Sequence, residues 1–175
     1  ASFLVDRFGS KIATDAVARY LVGTSKHWPG ATVFWQIDQM GRIHTGKVML
    51  YDPATGKRVK KPYSHVTWVH TLLKEENFQL STCLFGLHLL KSGKTVALVE
   101  SEKTAIIASI YLPEFIWMAV GGSGLNDKAA EALKGYKVIL FPDLNFFGKW
   151  KEKAEKYGWK CMDLLELYAT DDERN

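Results

Sequence analysis

The chain has 175 residues, 47% hydrophobic and 24% charged, with a formal net charge of +4 and a pI near 9.0. This is ordinary globular composition, enough for one full core or for a large domain with a small β-rich lobe, and no internal repeat or low-complexity segment interrupts it. No apolar run is long enough to span a bilayer and no signal-peptide pattern opens the chain, so a cytoplasmic protein that does not enter the membrane is expected.

In chain order, SKIATDAVARYLV (10–22) predicts a helix with Ile12, Ala16, Tyr20 and Leu21 near one face, an outer Asp15–Arg19 pair, and Gly23 as its stop. Trp28-Pro29-Gly30 is a loop. Val33, Trp35 and Ile37 alternate with Thr32, Phe34, Gln36 and Asp38, which predicts a strand, and Gln39-Met40-Gly41 turns it into a hairpin partner over 42–50. Asp52 to Gly56 is a second turn, followed by a basic run. A further strand is expected within 63–70 and a short helix over 82–90, with 72–80 ambiguous between them. From Thr95 the pattern is regular. Strands at 95–100, 115–120, 136–141 and 158–162 alternate with helices at 102–111, 126–134, 146–157 and 163–168. Strict alternation predicts a parallel sheet with right-handed crossovers. The polar tail 171–175 is expected to fray.

The chemistry is concentrated at two strand ends. Val96-Ala97-Leu98-Val99 runs into Glu100, and Ser101 then offers a cap for a helix whose inward residues are Ala105, Ile106, Ala108, Ser109 and Ile110. Downstream, Tyr136 to Phe141 runs into Pro142-Asp143-Leu144-Asn145. Ligands of open α/β sheets bind at this edge. Two ionised carboxylates about 5 Å apart repel by roughly 3 kcal/mol at an effective dielectric near 20. A fold that converges them therefore needs a cation or a shared proton. Oxygen donors of this kind suit Mg²⁺ or Mn²⁺. The blander alternative is that both acids only face helix N-termini, where negative charge is favourable in any case.

VESEKTA (99–105) and FPDLN (141–145), in this order and with room for helix, strand and helix between them, resemble the Toprim domain of bacterial primases and topoisomerases. In that domain one strand ends in Glu and a later one in Asp-x-Asp. LFGLHLL (84–90) is similar to the primase segment before the first Toprim strand, and VFWQIDQMGRIHTGKVMLYD (33–52) to the β-rich lead-in of the primase core. The resemblance covers roughly 30–165 and is strongest to primase-like proteins of bacterial mobile elements. It implies a Toprim-like (Rossmann-like) α/β fold. An N-terminal helix and β-rich lobe would occupy 1–92, and a parallel sheet flanked by helices 93–170. It further implies DNA replication or mobile-element maintenance, with single-stranded DNA and nucleotides as partners, Mg²⁺ as cofactor and nucleotidyl transfer as the reaction. A helicase or an upstream zinc-binding module are further implied partners. The lack of an initiating Met points to a segment of a longer protein.

Carried over by position, the resemblance assigns Glu100 general acid/base work. Metal falls to Asp143, with Asn145 and Glu100 beside it. Lys103 and Ser101, at the start of the helix, would meet phosphate. So would Gly122 and Ser123, in a Gly121-Gly122-Ser123-Gly124 loop of the glycine-rich kind that can cradle a phosphate with backbone N–H groups. Two departures bear on activity. Asn145 stands where the family has Asp, and Ser101 where it has Gly. Both favour an alternative in which a degenerate module binds nucleic acid or a replication partner without chemistry; a second alternative is phosphodiester cleavage.

Lys57, Arg58, Lys60 and Lys61, with Arg42 and Lys47, are interleaved with Tyr51, Tyr63 and Trp68. Cations that neutralise phosphates beside rings that stack on bases suit single-stranded nucleic acid, although a solvated basic hairpin has the same composition. Other motifs fail. Lys91 to Thr95 mimics the end of a P-loop, but its first Gly position is His88. Gly121 to Leu125 lacks the final Gly of GxSxG, and the histidines have no HExxH spacing. Cys83 and Cys161 form no CxxC pair and are expected to be buried free thiols.

Overall fold

The computed structural model describes residues 2–121 and 124–174. The chain divides into two compact units between Cys83 and Leu84.

The first unit opens with two helices, α1 (Ser2–Phe8) and α2 (Ser10–Arg19). In α2 the covered stripe is Ala13, Ala16 and then Tyr20, while Ile12 is 48% and Leu21 52% exposed. Ala16 and Tyr20 thus face inward as expected, with Ala13 in place of Ile12 and Leu21. The ion pair on its outer side is Lys11–Asp15 at 2.9 Å. The helix ends before Gly23. Tyr20 caps it, Leu21 takes a left-handed φ of 52°, and Gly23 already begins β1 (Gly23–Ser25).

Strands β1, β2 (Ala31–Ile37), β3 (Ile43–Met49) and β4 (Val66–Trp68) form an antiparallel sheet in sequential order. The β2–β3 hairpin lies where alternation placed it, but β2 is not half-exposed. Val33, Phe34, Gln36 and Ile37 are all buried, because the sheet is covered on both faces. Buried Gln36 is satisfied by accepting the Cys83 N–H at 3.2 Å. Ala31, Val33 and Val48 form a core against Trp28, Trp35, Leu50, Val69 and Leu72. Gly46 is needed there: a Cβ would lie 2.7 Å from the Trp35 ring and 2.8 Å from Val33. The 63–70 segment is a strand only over β4, and it continues as α3 (Val69–Leu73).

The hairpin turn is organised by Asp38. Its carboxylate accepts the N–H groups of Met40 and Arg42, the Arg42 Nε at 2.7 Å and the His44 Nε2 at 3.0 Å. The His44 ring first, then these N–H donors, hold its carboxyl well below the usual carboxylate range. The Asp52 turn is similarly built, its Oδ1 accepting from Ala54 N, Thr55 N and Thr55 Oγ1.

The second unit is a parallel sheet flanked by helices. Its strands are β5 (Val96–Val99), β6 (Ile116–Ala119), β7 (Val138–Leu140) and β8 (Lys160–Cys161), in the order β6-β5-β7-β8. Every residue of β5 and β6 is buried, as continuous apolar runs in a two-faced parallel sheet require. The connecting helices are α4 (Glu102–Tyr111), α5 (Asp127–Ala132) and α6 (Phe147–Tyr157), with α7 (Leu164–Tyr168) and α8 (Asp171–Arg174) after the last strand. The tail expected to fray thus forms a helical turn up to Arg174. The helix expected over 82–90 is only a 3-10 turn at Leu87–Leu89. Phe85 instead pairs with Ala119, and Gly86 at φ 84° breaks the run. No described helix is long and apolar enough to cross a membrane.

Two outcomes follow. Gly46→Ala should destabilise the first unit by about 1–3 kcal/mol through overpacking against Trp35, read from urea unfolding. Asp38 has a folded pKa below its unfolded value near 4, so its contribution is complete above that pH and erodes as pH falls below it. The stability gap between the wild type and Asp38→Asn should therefore be widest near neutrality and should close in acid.

Candidate active site at the carboxyl edge of the parallel sheet

The rim of the second unit is set by strand register. Leu98 is opposite Leu140 on one side and Met118 on the other, and the Phe141 N–H donates to the Leu98 carbonyl at 2.8 Å. Glu100 therefore leaves β5 and Asp143 leaves β7 at the same edge of neighbouring strands. Both residues are half-buried. The third strand end joins them, since the Gly121 N–H donates to the Glu100 carbonyl at 2.9 Å.

Ser101 caps α4: its Oγ accepts the Thr104 N–H at 3.2 Å and lies 2.8 Å from Thr104 Oγ1. This hydroxyl is engaged in holding the helix start, a structural task that any phosphate contact would share. Lys103 sits half-buried in the first turn of α4. Asn145 is exposed and held at φ 70°, its N–H donating to Glu166 Oε1 at 2.7 Å. A left-handed φ is tolerated by Asn better than by most residues, which gives this position a conformational role besides any ligand role. The Asp143 carbonyl accepts the Phe146 N–H at 3.0 Å and so closes the turn into α6. Gly122 and Ser123 lie outside the described residues. Among the described residues, no group of three His, Cys, Asp or Glu side chains is placed to hold a metal ion.

One acid at this edge escaped the sequence reading. Glu102 is only 2% exposed, although a first-turn Glu normally faces solvent. Room for it comes from Gly121. A Cβ there would sit 2.7 Å from Glu102 Oε1, and Gly121 also has φ 57°. The sequence signal was the glycine ending β6, whose partner only the fold reveals.

The basic set lies in the first unit. Lys57, Arg58, Lys60 and Lys61 are all exposed, with Arg58 bridged to Tyr51 across the turn. Tyr63, 56% exposed, stacks on His65 at 4.4 Å, and Trp28 meets the same imidazole edge-on. Of the two further expected members, Arg42 is paired with Asp38 through Nε, and half-buried Lys47 lies across from Trp68 in the β3–β4 ladder. Both cysteines are half-buried free thiols, and burial pushes that of Cys161 up.

A family model described as "Domain of unknown function (DUF6371)" matches residues 1–144. The chain belongs to the DUF6371 family. Among curated proteins the sequence finds no match. Solved structures supply the fold of this DUF6371 chain. It is similar to the RNA polymerase domain of Mycobacterium tuberculosis primase DnaG, at 15% identity and TM-score 0.53, over 96% of this chain and 62% of that one. The primase fragment of the bacteriophage T7 primase-helicase protein is similar at 18% identity and TM-score 0.55, over 98% and 71%. The Aquifex aeolicus primase, zinc-binding and RNA polymerase domains, is similar at 15% identity and TM-score 0.54, over 82% and 38%. The fold is thus that of primase catalytic domains. The chain spans less than two thirds of the Mycobacterium domain.

The contact between Gly121 and Glu102 makes a direct prediction. Gly121→Ala should cost about 1–2 kcal/mol from the left-handed φ alone, plus the displacement of the carboxylate. In a Glu102→Ala background only the φ cost should remain. A double-mutant cycle by urea unfolding should therefore give a coupling of at least about 0.5 kcal/mol.

Proposed function

We propose that this DUF6371 chain is the catalytic core of a primase-type protein, binding single-stranded DNA and nucleotides with Mg²⁺ and performing nucleotidyl transfer. The observation that carries the reading is the meeting of Glu100 and Asp143 at one sheet edge, in a fold shared with primase catalytic domains. In this reading 1–92 is the N-terminal helix with the β-rich lobe, and 93–170 is a Toprim-like domain.

Mg²⁺ is commonly held by one or two carboxylates, with waters and substrate phosphates completing the shell. Asp143 and Glu100, with the Asn145 amide oxygen, are a donor set of that kind. Bound there, the ion would neutralise charge developing on a transferred phosphoryl group. Glu100 serves as general acid/base. Lys103 meets phosphate at the start of α4, where the N-terminal dipole favours an anion and Ser101 fixes the helix. Gly122 and Ser123 are assigned to the same phosphate. Lys57, Arg58, Lys60 and Lys61 neutralise template phosphates, and the exposed ring of Tyr63 offers a stacking face. The Mycobacterium tuberculosis domain has been crystallised with a double-stranded DNA oligomer carrying a 6-nucleotide overhang, at 13% identity and TM-score 0.51. The setting is replication or mobile-element maintenance in a bacterial cytoplasm, alongside a helicase or a zinc-binding module.

A second reading, a binding module without chemistry, is favoured by one observation. Asn145 brings an amide oxygen but no charge to the donor set.

A Mn²⁺ titration of the chain separates the two. The catalytic reading expects saturable binding, weakened roughly tenfold or more by Asp143→Ala and by Glu100→Ala and strengthened by Asn145→Asp, with primer synthesis lost in the two alanine variants. No binding up to millimolar metal would leave the second reading.

A further inference from the structure

The helix α7, Leu164-Leu165-Glu166-Leu167-Tyr168, is apolar in nearly every direction, and the second unit leaves it largely uncovered. Leu164 is 40%, Leu165 50%, Leu167 64% and Tyr168 77% exposed. Its one polar residue, Glu166, is turned to use by the Asn145 N–H at 2.7 Å. A helix apolar all round is ordinarily a buried one. Left open, such a surface marks an interaction site.

Beside α7 lies a cleft of about 200 Å³, whose walls include Trp117, Phe141, Met162, Leu164 and Leu165. It has room for one large side chain. Asp143 also contributes to the lining. An exposed apolar helix next to a single-side-chain cleft is the receptor half of helix-in-groove recognition, in which a partner helix inserts anchors spaced three or four residues apart.

Charge selects the partner. The chain is positive overall, yet no basic residue occurs between Lys160 and Arg174, where Asp163, Glu166, Asp171 and Asp172 flank the leucines. This is an acidic stretch on a basic protein. Such a stretch favours a cationic partner. We propose that α7 and its cleft form a docking face for a basic amphipathic helix of a partner protein, which places one large apolar side chain in the cleft and its lysines or arginines against the acids. The docking face does not rest on the chemistry proposed for the sheet edge, although Asp143 lines the cleft as well as that edge.

The test uses the full 175-residue chain and a fluorescein-labelled synthetic helix of leucine and lysine with a single tryptophan anchor. Its twin carries glutamate in place of every lysine. Anisotropy should show saturable binding of the lysine peptide that weakens with added salt, and none of the glutamate peptide. Leu165→Ser with Tyr168→Ser should weaken binding about tenfold. These side chains are exposed, so circular dichroism should stay unchanged. Asp172→Asn should weaken it by a smaller factor. Equal binding of both peptides, or binding indifferent to the Leu165 and Tyr168 substitutions, overturns the proposal. So does light scattering that shows a wild-type dimer dissociated by the same substitutions, since the face would then belong to a second copy of this chain.

Discussion

The parallel register of β5 between β6 and β7 is the constraint on which the rest of the second unit depends. Hydrogen bonding on both edges fixes where each strand stops. Three strand ends then meet at one rim, bringing Glu100, Gly121 and Asp143 to the same edge. A one-residue slip would turn alternate side chains to the opposite face.

The rim is also economical in its use of residues. Ser101 holds the helix start through Thr104, and Asp143 closes the turn into α6. The Asn145 backbone is tied to Glu166 on the segment after the last strand. Residues assigned to chemistry by resemblance therefore have structural work as well. The departures from the primase pattern read differently in this light. Asn145 occupies a left-handed position, where an amide side chain suits the backbone, and Ser101 is a good helix cap where a glycine would be a poorer one.

Charge is unevenly distributed along the chain. Lys57, Arg58, Lys60 and Lys61 of the first unit are exposed, while the acids after β8 accompany an uncovered leucine helix. Arg42 belongs to the Asp38 turn as well, held there through its Nε.

Local sequence determined much of this protein. The four strand–helix alternations after Thr95, the Ser101 cap, the 31–49 hairpin and the Asp52 turn all follow from side-chain period and turn chemistry, which act within a few residues. Tertiary structure decided the rest. β2 is buried on both faces, α2 turns Ala13 inward and Ile12 outward, and the 82–90 segment pairs Phe85 with β6 in place of forming a helix. Glu102 is buried because a glycine nineteen residues further on leaves it room. Periodicity states which conformation a segment adopts; which face is covered, and which acid is enclosed, depends on atoms brought close by chain elements that no local window contains.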